Sequence, residues 1–76
     1  MESLNNKYIR CTTEDIYTKS LLILSIHLSL IISFKNFKWY GPDSVFILIN
    51  NIVYHDYKLY YTEYDEISYE YLFNNY

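Results

Sequence analysis

The chain has 76 residues, of which 51% are hydrophobic and 20% charged, with a formal net charge of −3 and one cysteine. That length admits a single small domain, residues 1–76, which hides only about 60–65% of the surface its unfolded form exposes, and one thiol excludes an internal disulfide. Residues 1–53 hold four acids against five bases, while residues 54–76 hold five acids against Lys58, so phosphate backbones would be repelled by the tail and direct nucleic-acid binding is not expected.

The first element is a helix. Thr12 with Asp15 three residues later resembles a capping box, Glu14 and Asp15 suit the positive end of a helix, and a helix is expected from about Thr13. Residues 21–34 then carry two periods at once. With period two, Leu22, Leu24, Ile26, Leu28, Leu30, Ile32 and Phe34 share one side, with Ser25, His27, Ser29 and Ser33 on the other. With the helical period, Ser25, Ser29, Ser33 and Asn36 form a polar stripe. A fourteen-residue strand exceeds the usual range of about 3–10, so the expectation is one long helix reaching Asn36. The alternative is a mostly-β meander with residues 21–34 as a strand.

The same run, flanked by Lys19, Lys35 and Lys38, also resembles a short membrane anchor. About 14 residues make roughly 21 Å of helix against a hydrocarbon core of about 30 Å, with His27 at the middle. A membrane role is therefore a distant alternative. A signal peptide does not fit either, because acids precede the run and no small-residue cleavage site follows.

Gly41 and Pro42, single in the sequence, mark a break between the two halves at residues 39–44. After it, apolar residues 45–49 and 52–54 flank Asn50 and Asn51, which tolerate the left-handed backbone of a two-residue hairpin turn. A strand over residues 52–64 would turn Val53, His55, Tyr57, Leu59 and Tyr61 inward and Tyr54, Asp56, Lys58, Tyr60, Thr62 and Tyr64 outward. Tyr64, Asp65 and Glu66 would connect it to a last strand over residues 67–73, with Ile67, Tyr69, Tyr71 and Phe73 opposite Ser68, Glu70 and Leu72. The expected fold is α+β: an N-terminal amphipathic helix packed on a small antiparallel sheet formed by the C-terminal half.

Residue types that carry chemistry are sparse. Cys11, His27 and His55 lack any paired metal-ligand spacing, so neither metal nor other cofactor is expected. His27 in an apolar run reads as an interior or interface group, and His55 beside Asp56 as a surface residue on a strand. Glu63 with Asp65 or Glu66 could do acid–base work only if desolvation separated their pKa values, which an exposed turn does not supply. An enzyme is not expected.

Eight of the eleven tyrosines lie in residues 54–76. Tyrosine buries large area at low entropy cost and keeps a polar handle, a composition suited to protein recognition. The candidate partner-binding residues are Tyr54, Asp56, Tyr60, Glu63, Tyr64, Asp65, Glu66 and Glu70, facing a protein partner with a basic surface. Alanine is absent and glycine, proline and arginine occur once each, a bias compatible with an AT-rich phage, virus or plasmid gene. The functional expectation is a small cytoplasmic binding protein that inhibits a host nucleic-acid-handling or defence complex. The alternative is a structural or oligomerisation subunit, since a partner chain, a second copy in a homo-oligomer included, is one remedy for so small a core.

Overall fold

A strand that is apolar at five consecutive positions has to be covered on both faces. The run Val45–Ile49 meets that demand as β3, the central strand of a five-stranded sheet in a computed structural model that describes residues 4–58 and 63–76. In chain order the elements are β1 (Lys7–Arg10), α1 (Glu14–Leu22) with a π-helical continuation over Ile23–His27, β2 (Ile31–Ile32), β3, β4 (Ile52–Asp56), β5 (Asp65–Glu66) and α2 (Tyr69–Asn75). The strand order is β2-β4-β3-β1-β5. β3 runs antiparallel to β1 and β4, while β2 is parallel to β4 and β5 is parallel to β1. The fold is α+β, as expected, but the sheet is mixed and takes β1 and β2 from the front half of the chain.

The expected hairpin is present. Ile49 pairs with Ile52 across Asn50 and Asn51, whose φ values of 52° and 65° give the left-handed pair that a tight hairpin turn requires. The Asn5 side chain accepts from the Asn50 N–H at 2.8 Å, tying the chain start to the turn.

The long-helix expectation for residues 21–34 is corrected: the run is divided between helix and strand. Thr13, one residue later than the sequence pattern placed it, caps α1 by accepting from the Ile16 N–H at 3.1 Å. After Leu22 the helix widens, with the Leu28 N–H reaching back five residues to the Ile23 carbonyl. The Ser25 hydroxyl donates to the Leu21 carbonyl at 2.7 Å, and Ser29 takes a φ of 54°, which ends the helix. From Leu28 to Lys35 every even position is half-buried and every odd one exposed. The two-residue period seen in the sequence is therefore real after His27, whereas of the expected polar stripe Ser25, Ser29, Ser33 and Asn36 only Ser25 lies in the helix, where it is half-buried. β-branched Ile31 and Ile32 then pair with β4, the Ile31 N–H donating to the Asn51 carbonyl at 2.9 Å.

Two expectations in the tail are also corrected. β4 ends at Asp56, and residues 59–62 lie outside the described set. Residues 69–75 form a helix where a strand was expected, because Ser68 caps it by accepting from the Tyr71 N–H at 3.1 Å. Ile67 before the cap and Leu72 at the fourth helical position are both in the core, the pattern of a hydrophobic staple. Asp65 and Glu66, expected as a connection, form β5.

Both helices lie on one face of the sheet. Ile9, Phe46, Leu48 and Val53 project there, and Tyr17, Ile23, Leu24 and Leu72 close over them. Tyr17 stacks on Phe46 with centroids 5.1 Å apart. The loop after β2 is stapled to the end of β1, where the Trp39 indole N–H donates to the Cys11 carbonyl at 2.8 Å. Gly41, at φ 114°, makes the turn that returns the chain to Ser44.

Candidate functional site

Strand alternation decides which side chains reach the face turned away from the helices. The registers Tyr8↔Ile47↔Tyr54 and Arg10↔Val45↔Asp56 put these six residues there, with Glu66 beside Tyr8 from β5. Two groups form on this face. At the β1–β5 side, Arg10 pairs with Glu66 at 3.5 Å and its guanidinium lies 5.8 Å from the centre of the Tyr8 ring. The Tyr8 hydroxyl donates to the same Glu66 carboxylate at 3.1 Å.

At the β3–β4 side there is a hollow of about 380 Å³ lined by Ile47, Ile49, Tyr54, His55, Asp56 and Tyr64. Ile47 is buried, Ile49, Asp56 and Tyr64 are half-buried, and Tyr54 is 41% exposed. One oxygen of Asp56 accepts from the Tyr57 N–H at 2.8 Å, which fixes the carboxylate. Among the described residues no lysine or arginine forms an ion pair with Asp56.

The sequence-expected binding residues divide among three places. Tyr54, Asp56 and Tyr64 come together around the hollow. Asp65 and Glu66 lie on β5 and are answered by this chain's own cations, Lys7 with Asp65 at 3.4 Å and Arg10 with Glu66. Glu70 stands exposed in the first turn of α2, beside Glu66 and Ser68 in a second, smaller hollow. Glu63 is exposed, and Tyr60 lies outside the described residues. Ile47 and Ile49, the apolar floor, were missed as site residues. A strand apolar at every position was the available signal, because one of its two faces must reach this side of the sheet.

The interior reading of His27 and the surface reading of His55 are corrected, while the inward turn of His55 along β4 is as the strand alternation placed it. His27 is exposed at the end of the π-helical turn rather than interior. His55 is half-buried on the helix-side face, ringed by Tyr17, Phe34, Tyr40 and Phe46 with centroids 4.7–5.3 Å away. Its Nε2 is buried without a hydrogen-bond partner. Burial pushes its pKa below the ordinary histidine value, against the pull of neighbouring Asp56. Burial likewise pushes the Cys11 thiol up to about 12, opposed by a backbone hydrogen bond from Phe46, so the sulfur stays protonated at neutral pH. Tyr17 is raised by the same desolvation, with Cys11 and Tyr40 adding to it.

Among the described residues no group of three histidine, cysteine or acidic side chains could hold a metal ion, and no helix is long and apolar enough to cross a membrane. Comparison of the chain with family models, with curated proteins and with solved structures gives no match.

Proposed function

We propose that this protein is a binding module, working without turnover, that docks a basic protein surface against the sheet face carrying Tyr54, Asp56 and Tyr64. The observation that carries the reading is the pairing of a fixed carboxylate, free of any lysine or arginine among the described residues, with two tyrosines over an apolar floor. Aromatic side chains around a small number of placed polar groups are the usual make-up of a binding hot spot. Glu63 and Glu70 extend the negative field, whereas Asp65 and Glu66 contribute less because Lys7 and Arg10 offset them. A partner surface of this charge is the kind that handles nucleic acid. Inhibition of such a host complex by a protein from a mobile element is the biological role most in keeping with the composition.

The test uses a tagged chain in its native cells and the triple variant Asp56→Lys, Glu63→Lys, Glu70→Lys, which leaves the Lys7–Asp65 and Arg10–Glu66 pairs in place. Capture of the partner should weaken markedly between about 50 and 500 mM salt, and the variant should lose it at low salt. Full retention by the variant would sink the reading.

A second reading, a structural or oligomerisation subunit, draws on a different surface. Leu22 and Ile26 share a stripe of the α1 layer and are 49% and 68% exposed, and Phe73 on α2 is 60% exposed. Association through these residues would be insensitive to salt, so sedimentation at both ionic strengths separates the two readings.

A further inference from the structure

The two groups on the sheet face away from the helices are built alike, and one of them already holds its cation. Around Glu66, a tyrosine ring and a carboxylate take up the guanidinium of Arg10, the single arginine of the sequence. Around Asp56, on β4 and two strands from β1, Tyr54 and Tyr64 line a carboxylate that forms no ion pair with a lysine or arginine among the described residues.

We propose that the hollow between Tyr54, Asp56 and Tyr64 is a receptor for one arginine side chain of the basic partner. The inference rests on the binding reading above and names the group that enters. Its guanidinium sits on Asp56, whose orientation is set by the Tyr57 N–H, leaving the other carboxylate oxygen to accept from the fork. Its methylene stem lies over Ile47 and Ile49, and its planar face meets a tyrosine ring, as Arg10 meets Tyr8. A guanidinium suits this lining better than an ammonium, because it is more weakly hydrated and stacks on rings. The hollow of about 380 Å³ lies within the range of roughly 300–1,000 Å³ typical of ligand sites.

The experiment is an amide NMR titration of the full chain, at about 20 mM salt to limit screening, with hexa-arginine and with hexa-lysine as probes. Hexa-arginine should give saturable shifts at Ile47, Tyr54, Asp56 and Tyr64 and bind several-fold more tightly than hexa-lysine. Asp56→Asn keeps an acceptor for the Tyr57 N–H and should lower hexa-arginine affinity about tenfold, leaving the rest of the spectrum in place. Tyr54→Ser is the second variant and should act in the same direction. Equal affinity for the two peptides, or shifts confined to residues 63–70, would overturn the arginine receptor while leaving a basic partner in play. If neither peptide shifts any amide, the receptor and the basic-partner reading fall together.

Discussion

The imidazole of His55 lies flat against the ring of Tyr40, with centroids 4.7 Å apart and planes 16° from parallel. Phe46, directly across the strand pair, and Phe34 and Tyr17 close the other sides. A histidine in such a setting is held neutral, because protonation would place a charge among rings with no acceptor for the buried Nε2.

This gives a pH dependence of definite sign. The folded state lowers the pKa of His55, so the unfolded chain binds the proton more readily. The stabilisation is fully present above the unfolded value of about 6.5 and is lost as pH falls through the lower folded value. Tyr17, raised from its ordinary value, is neutral across this window, and Asp56 works against the effect. The urea midpoint should be lower at pH 5.5 than at pH 7.5, and His55→Phe should flatten that slope. Equal midpoints for the native chain would refute the assignment.

Leu72 is fully buried, although the tail reads as a strand with Leu72 on the side of Ser68 and Glu70. Leu72→Ala should destabilise the fold by about 2–5 kcal/mol, a large share of what a domain this small possesses. Phe73→Ala, at an exposed position of the same helix, should change stability by less than about 0.5 kcal/mol. Equilibrium unfolding of the two variants checks whether α2 is part of the core.

The hairpin turn places both asparagines at positive φ. Asn50→Val and Asn51→Val should each lose about 1–2 kcal/mol, the penalty of a β-carbon in the left-handed region, whereas Asn51→Gly should be neutral or slightly stabilising. Denaturant midpoints that barely move in the valine variants would contradict the turn geometry.

Cys11 has no exposed surface, and its thiol is pushed up to about 12. A disulfide reagent at pH 8 should leave the native protein unmodified over minutes and react at once in denaturant. Labelling of the native chain at the rate of a free thiol would show that the core around Cys11 does not stay closed over the sulfur.

The parts of the fold that were legible are those in which a local rule acts alone. The threonines and acids of residues 12–15 start a helix, one residue later than their pattern placed the cap, and Asn50 and Asn51 turn a hairpin. β1 was not legible, since Lys7–Arg10 is short and bears two cations, and it becomes a strand by pairing with β3. Residues 21–34 carry helical and strand periods together, and local preference has no means of dividing them. The pairing of Ile31 and Ile32 with β4 does so. At the site, Tyr54, Asp56 and Tyr64 were legible as types, but their meeting over Ile47 and Ile49 was not.

The sequence by itself determined a small acidic chain with one disulfide-incapable thiol, a helix after Thr13, a hairpin at Asn50 and Asn51, and a tyrosine-rich tail. Tertiary structure alone decided that Asp65 and Glu66 are offset by Lys7 and Arg10 while Asp56 forms no such ion pair among the described residues. The physical reason is range. Caps, turns and periodicity act over a few residues, whereas those ion pairs join side chains more than fifty positions apart, and only strand pairing brings such distant charges together.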